Sequence, residues 1–350
     1  MASDETMIAT SNTPGLPGRS QFVLWVLVGL SFATMALLLT FGVGLLKRAM
    51  NAHSRGIGHN DVSFDISPAG DTIVFNAVGD GGFDLYLLRL NGLSVTRIAA
   101  TPAYETTPAF TPDGESVVYA AGVPGDRADH IFIRRLDGSS VRQLTSADAN
   151  DSSPRVSPDG SLVVFDRNKT HQWGGLAGNW AGAVICLVGI DGKNERHLTS
   201  DDAFAWSPWF LPDGQSVAYW THAGIYAIHL DGSSPPRLVA DLRAGGVAPS
   251  NDASFFVYTR GQYSGTQELL FASADGSGER RIAPKLGAYC HPRVVPQGDR
   301  VYFCKEEWPD GPTGTPRLSL WRIDLDGSNM HRVASSQLFS EPLDWKPRVD

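Results

Sequence analysis

The sequence is poor in cysteine. Only Cys186, Cys290 and Cys304 occur among 350 residues, and no two of them form a CxxC pair. An odd, sparse set excludes a disulfide framework and a paired-cysteine metal site. Cys290 and Cys304 flank one predicted hairpin. Counting from its turn places them on opposite faces of the sheet, so we expect them to stay unpaired.

The chain also lacks an excess of basic residues. It has 29 lysines and arginines against 37 aspartates and glutamates, which gives a net charge of -8. Binding to nucleic acid without sequence preference needs a basic surface that displaces counterions from phosphates. The charge balance therefore predicts no nucleic-acid partner.

The usual catalytic and cofactor motifs are missing as well. The sequence contains no GxSxG, no HExxH and no GxxxxGK[ST]. These motifs mark a hydrolase nucleophile, a zinc site and a phosphate loop. We therefore expect a protein that is not an enzyme and that carries no catalytic residue, metal or cofactor. An active site dispersed over distant segments would leave no motif, and it stays an alternative.

One long hydrophobic run is present near the N-terminus. Residues 22–46, from Phe22 to Leu46, contain no charged side chain, and Trp25 lies near one end. A helix of that length extends about 37 Å, more than the ~30 Å hydrocarbon core of a bilayer. We predict a tail over 1–20, a retained transmembrane helix over 21–47 and a linker over 48–60. The run is too long for a signal peptide, and no small-x-small cleavage site follows it.

The positive charges that flank the helix give one indication of its orientation in the membrane. Only Arg19 precedes the helix, whereas Lys47, Arg48 and Arg55 follow it. Positive residues stay preferentially on the cytoplasmic side, so this count favours a cytoplasmic C-terminal domain.

The remainder of the chain is an internal repeat. One phrase, a Pro-Asp-Gly-like turn followed by a β-branched and aromatic run, occurs six times, and periods of this size are typical of solenoids and propellers. The copies are SPAGDTIVFNA (67–77), TPDGESVVYAA (111–121), SPDGSLVVFDR (157–167), LPDGQSVAYWT (211–221), APSNDASFFVYTR (248–260) and VPQGDRVYFCK (295–305).

A second turn, Leu-Asp-Gly or a close variant of it, follows each copy once. Six first turns and six second turns predict six sheets of four strands, and radial stacking of such sheets buries both of their faces. The isolated aspartates are expected to stabilise turns rather than bind calcium. A basic residue recurs on each fourth strand, where charge protects an exposed sheet edge; a ring of anion-binding arginines is the alternative. These residues are Arg97, Arg142, Arg196, Arg237, Arg281 and Arg332.

The phrases SPDGSLVVF and IFIRRLDGSSVRQLT resemble the repeats of the TolB-like six-bladed β-propellers over about residues 60–350. The resemblance implies an all-β fold, here a six-bladed propeller over 61–350 preceded by the single transmembrane helix. It also implies a protein-binding role in the bacterial periplasm, where TolB itself meets a peptidoglycan-associated lipoprotein. TolB's α/β domain has no counterpart in the segment 47–60. We expect the propeller on the periplasmic side of the inner membrane.

Ring closure has two candidates in the sequence. EPLDWKP, near the C-terminus, resembles the short closing strand of the family, and residues 61–66 compete for the same place in the first blade.

Partner contacts are expected on the loops that join second to third strands and blade to blade. Loops on a rigid scaffold commonly carry function, and aromatic side chains are enriched at interface hot spots. For Trp206 and Trp209, in or beside a first strand, filling the gap between blades is the favoured interpretation. The predicted contact residues are Trp173, Trp180, Trp308, Tyr104, Phe204 and Tyr289.

Two functions fit this organisation. The first is a structural subunit that docks on a membrane protein complex, held near the bilayer by a linker that reaches at most about 50 Å. The second is a periplasmic binding or sensor module for a peptide, a glycan or a cell-wall lipoprotein. A polar, open axis favours the second function, and a plugged axis with an apolar flank favours the first.

Overall fold

The computed structural model describes residues 62–79, 82–99, 101, 104–123, 128–168, 183–200, 203–241, 246–261, 267–284, 289–307 and 317–335. Within these ranges, no helix has the length and hydropathy needed to cross a bilayer. The predicted transmembrane helix, with Phe22, Trp25 and Leu46, lies outside them, as does the linker 48–60.

The described residues form 24 strands in six antiparallel sheets of four. Blades 1 and 2 consist of β1 Phe64–Ile66, β2 Thr72–Val78, β3 Phe83–Arg89, β4 Ser94–Ala99, β5 Glu105–Phe110, β6 Ser116–Gly122, β7 Asp129–Arg135 and β8 Val141–Gln143. Blades 3 and 4 consist of β9 Asn150–Val156, β10 Leu162–Asn168, β11 Ala183–Gly189, β12 Arg196–His197, β13 Trp206–Phe210, β14 Ser216–Thr221, β15 Gly224–His229 and β16 Arg237–Ala240. Blades 5 and 6 consist of β17 Gly246–Pro249, β18 Phe255–Gly261, β19 Gln267–Ser273, β20 Arg280–Arg281, β21 Tyr289–Val294, β22 Arg300–Glu307, β23 Arg317–Asp324 and β24 His331–Ala334.

The repeated turns hold the strands as the sequence predicts. In the first turn of blade 3, the Gly160 amide donates to the Ser157 carbonyl over 2.8 Å, and Gly160 has a φ of 76°. Asp159 accepts the Ser161 amide over 3.0 Å, which is the local bond expected of an Asx turn. In the second turn of blade 2, Asp137 likewise accepts the Ser139 amide over 2.9 Å. The aspartates therefore act as turn formers.

Six hydrophobic clusters lie between successive blades. Each cluster combines alternate buried side chains from two neighbouring sheets, because a strand directs every second residue to one face. The cluster between blades 6 and 1 contains Phe75 and Tyr302. It joins the last blade of the chain to the first and so closes the ring. The sequence prediction of an all-β six-bladed propeller is thereby confirmed for the described residues.

The innermost strand of blade 1 is β1, which pairs with β2 through Phe64 and Phe75. Of the two candidates for this place, the structure uses the N-terminal one. The C-terminal segment EPLDWKP lies outside the described residues.

The fourth-strand arginines bind neighbouring groups at the rim of the propeller. Arg142 donates to the Ile190 carbonyl and Arg196 to the Leu230 carbonyl, each over 2.6 Å and each in the next blade. Arg97 instead pairs with buried Asp84 of its own blade at 2.7 Å. Several of these side chains thus link or brace blades, in addition to placing charge on the outer edge.

The predicted placement of Cys290 and Cys304 on opposite faces is wrong. Cys290 lies directly opposite Cys304 in the ladder between β21 and β22, because one extra residue between Cys290 and Arg293 shifts the register. A bulge of this kind moves every preceding residue of the strand to the other face. Both thiols are free and buried.

Candidate partner-binding site

The axis of the propeller is built from the first strands of the blades, and four of these carry the same bulge. In each, three residues of the first strand span two of the second. The bulged residue has a positive φ, and proline follows it. The four bulged residues are Thr107, Ser153, Ser207 and His291.

The residue two positions before the first turn occupies an equivalent place in every blade. In blades 2, 4 and 5 this residue is a buried alanine or tryptophan: Ala109, Trp209 and Ala248. In blades 1, 3 and 6 it is charged and partly exposed: Asp65, Arg155 and Arg293. Charge at the axis is thus confined to three of six equivalent positions.

The Arg293 guanidinium contacts several groups, but not all of its N–H donors have hydrogen-bond partners among the described residues. Its Nη1 donates to the Pro292 carbonyl over 2.9 Å, and its Nε lies 3.7 Å from Asp65 Oδ1, beyond good hydrogen-bond distance. Its Cζ stands 5.9 Å from the centre of the Phe64 ring. Burial, and after it the charge of Arg155, lowers the pKa of Arg293 to about 10. The Arg293 guanidinium is therefore still charged at neutral pH.

The loop face is the end of the ring where first strands begin, and two aromatic side chains among the described residues are exposed there. Tyr104 precedes β5 and is 47% exposed; its ring centre lies 6.1 Å from that of Phe83. Phe204 precedes β13 and is 42% exposed, with a φ of 47°. Both were predicted as contact residues, and both are available to a partner.

Trp209 fills the gap between blades 4 and 5, as the favoured interpretation has it, whereas Trp206 packs against aromatic rings of its own blade. Both are buried. The Trp206 ring lies 4.7 Å from the ring of His222 and 5.5 Å from that of Trp220. Trp209 packs edge-on against Phe256 of blade 5 at 6.3 Å.

Tyr289 takes an interior position instead of the predicted exposed one. It is the first residue of β21, is fully buried, and packs edge-on against Phe303. Its hydroxyl donates to the Pro284 carbonyl over 2.9 Å. The ladder starts earlier than the sequence indicates, so the ring joins the core rather than the loop. Trp173, Trp180 and Trp308 lie outside the described residues.

Buried acidic residues lie just below the loop face. Glu105, beside Tyr104, accepts the Thr101 amide over 3.0 Å, and burial raises its pKa to about 7. In blade 3, the Arg167 guanidinium bonds buried Asp151 through two nitrogens, at 2.7 and 2.9 Å, and also Glu195. Such an ion pair holds its strands in one geometry more than it adds stability.

The residues described by the structure contain no cluster of three or more histidine, cysteine or acidic side chains able to hold a metal ion. A shallow groove of about 510 Å³ lies on blade 6, lined by residues that include Arg300, Arg322 and Asp324; the axial arginines are not part of its lining.

The sequence reasoning missed the axial residues Arg155 and Arg293. Each follows a proline in a first-strand phrase, SPRVSP (153–158) or HPRVVP (291–296). The sequence signal that could have identified them is a charged residue two positions before the first turn, where the copies in blades 2, 4 and 5 have alanine or tryptophan.

Comparison with known proteins agrees with this geometry. The family model of the TolB beta propeller domain matches residues 48–176, which is less than half of the chain. No curated protein matches the sequence.

Solved structures share the fold at low identity. TolB from Acinetobacter baumannii is 16% identical with a TM-score of 0.59, over 76% of this chain and 64% of that one. A protein described as TolB from Agrobacterium tumefaciens is 21% identical with a TM-score of 0.55, over 70% of this chain and 86% of that one.

Enzymes share the fold too. An oligogalacturonate lyase from Vibrio parahaemolyticus is 12% identical with a TM-score of 0.55, over 78% of this chain and 77% of that one. The fold alone therefore does not distinguish a binding module from an enzyme. Taken with the six repeats and the closed ring, the matches show that the described part of this chain has a six-bladed β-propeller fold similar to that of TolB.

Proposed function

We propose that the protein is a membrane-anchored, non-enzymatic interaction module whose loop face docks on a membrane protein assembly. The observation that carries the proposal is the exposure of Tyr104 and Phe204 at that end of the ring. Both residues precede strands that begin within the next two residues, so their backbone is held by the propeller, and aromatic side chains are enriched at interface hot spots.

The predicted helix over 21–47 supports the membrane part of this proposal. A tether keeps the propeller close to partners in or on the same bilayer, and it raises their effective concentration. The resemblance to TolB favours the periplasmic side. A respiratory, photosynthetic or envelope assembly would each suit this arrangement.

A periplasmic binding or sensor module for a peptide, a glycan or a cell-wall lipoprotein is the second candidate. The partly exposed charged side chains at the axis, Asp65, Arg155 and Arg293, favour it specifically, because an axis that served only as packing would be apolar. The two functions share the propeller and differ in which surface binds.

Purification of the full-length protein from native membranes in mild detergent, followed by mass spectrometry, tests the leading proposal. We expect stoichiometric integral membrane proteins to accompany the wild type. The double variant Tyr104→Ala/Phe204→Ala, and separately Trp173→Ala/Trp180→Ala, should lose most of them.

Leu93→Ala is the matched control. Leu93 is 52% exposed but lies in the turn between β3 and β4, at the opposite end of the ring. Retention of the companions by both double variants, or an equal loss in Leu93→Ala, would refute docking through the loop face.

A further inference from the structure

The three axial charges do not balance. Arg155 and Arg293 contribute two positive charges and Asp65 one negative charge, so this level of the axis has one positive charge in excess. The whole chain has a net charge of -8. A local positive excess within an acidic protein marks a position where an anion is favoured by its immediate surroundings and not by the overall field.

The fold places the two arginines at equivalent positions on opposite sides of the propeller axis. Arg155 lies in β9 of blade 3 and Arg293 in β21 of blade 6, and blades 3 and 6 are opposite in a closed ring of six. Each side chain is positioned in the same way, with Nη1 donating to the carbonyl of the preceding proline over 2.8 Å for Arg155 and 2.9 Å for Arg293.

One donor at this position is buried without a hydrogen-bond partner among the described residues. Within the described part of the chain, Nε of Arg293 has no hydrogen-bond partner. Asp65 does not satisfy it, because Oδ1 of Asp65 is 3.7 Å away and Oδ2 already accepts the Phe110 amide over 3.0 Å. A buried donor without a partner destabilises the folded state unless a ligand or water supplies the acceptor.

We propose that Arg155 and Arg293 form an axial receptor for one carboxylate group of an acidic polypeptide. A guanidinium fork matches the two oxygens of a carboxylate. A single negative charge neutralises the local excess, whereas a doubly charged phosphate would leave a surplus negative charge beside Asp65. The assignment to a polypeptide rests on the proposed role as a protein-interaction module, and it adds a second contact at the axis to the loop face.

Titration calorimetry on the full-length protein in detergent tests the proposal with octaglutamate as the probe. We expect saturable binding of octaglutamate and none of octaglutamine. Arg155→Gln and Arg293→Gln should each weaken binding at least tenfold. The matched control, Arg237→Gln, removes the same charge from the exposed outer strand of blade 4 and should leave the affinity unchanged.

Asp65→Asn distinguishes a specific loss of binding from a loss caused by misfolding, because it is expected to gain affinity. It removes the competing charge and keeps an oxygen for the Phe110 amide. We expect it to bind octaglutamate several-fold more tightly than the wild type, which an unfolded protein cannot do. Unchanged or weaker binding by Asp65→Asn in a folded protein would overturn the axial assignment.

Two further results would also overturn the proposal. One is an equal loss of affinity in Arg237→Gln, which would mean diffuse electrostatic attraction. The other is binding of trigalacturonate without binding of octaglutamate, which would make the ligand an acidic glycan. Copurification of membrane partners with the arginine variants, measured in parallel, separates failure at the axis from failure of the loop-face proposal.

Discussion

At the scale of the residue, burial decides what each ionisable group does. Glu105 is fully buried below the loop face, while the turn aspartates stay in solvent, where amide and hydroxyl donors stabilise their charge. Carboxyl groups thus have raised pKa values inside the ring and lowered ones at its turns. The difference makes the stability of the protein depend on pH in opposite directions at the two kinds of site.

In the wild type, we expect ionisation of Glu105 to lower the free energy of unfolding as the pH rises. Glu105→Gln should remove this pH-dependent loss. Burial raises the pKa of Glu105 from 4.5 to about 7, so the folded state binds more protons than the unfolded chain between these values. Its contribution to the free energy of unfolding is therefore full below pH 4.5 and falls as the pH rises toward 7. Urea denaturation of the wild type and the variant across this range measures the difference.

Asp275→Asn is the control for this prediction. Hydrogen bonds from Ser277 lower the pKa of Asp275, so its contribution is present above pH 3.8 and is lost only as the pH falls further. We expect the pH dependence of its free energy of unfolding to differ from that of the wild type only below pH 3.8. Parallel profiles of Glu105→Gln and the wild type between pH 4.5 and 7 would contradict the assignment.

At the scale of the element, one turn departs from its repeats. Five of the six first turns place glycine at the left-handed position, and blade 5 places Ala253 there with a φ of 52°. A residue with a Cβ is disfavoured by about 1–2 kcal/mol in this conformation. The hydrogen bond from the Ala253 amide to the Ser250 carbonyl, at 2.9 Å, holds the turn in place despite the strain.

Ala253→Gly should therefore stabilise the protein by about 0.5–1 kcal/mol, since the relief of strain exceeds the added flexibility of the unfolded chain. The reciprocal change, Gly160→Ala, should destabilise it by about 1 kcal/mol through strain alone. At Gly160 an added Cβ would meet no atom within 4 Å, so crowding does not contribute. Thermal and urea unfolding of both variants check the signs. Destabilisation by Ala253→Gly would show that the turn is not strained.

At the scale of the whole molecule, the ring is closed by side-chain packing among the described residues. The cluster between blades 6 and 1 is built from the same kinds of buried aliphatic and aromatic side chains as the other five, and it joins the two ends of the repeat array. A closed ring leaves no blade with an unpacked face, so each cluster stabilises all six blades.

Phe75→Ala, between blades 6 and 1, should cost as much stability as Phe165→Ala, which removes the equivalent side chain between blades 2 and 3. Both rings are fully buried, and such truncations cost about 3–5 kcal/mol. In both variants we expect a single unfolding transition by calorimetry. A separate early transition in Phe75→Ala alone would mean that the closing cluster opens independently of the ring.

The local chemistry and the repeat count follow from the order of the amino acids alone. Six Pro-Asp-Gly-like turns, each followed by a β-branched and aromatic run, specify strands, hairpins and the number of blades, because turn conformation and strand propensity depend on adjacent residues. The burial of Trp206 and Trp209 follows from their place in the repeat, because both lie in a first strand, which is the innermost strand of its blade.

The register of β21 on β22, and the meeting of distant residues at the axis, depend instead on the tertiary structure. One extra residue before Arg293 brings Cys290 opposite Cys304 and draws Tyr289 into the ladder, and no count from the turn reveals that bulge. Arg155 and Arg293 lie far apart in the chain, and closure of the ring gives them a common axis. That common axis is set by contacts between whole blades, and for that reason it is not determined by any one repeat.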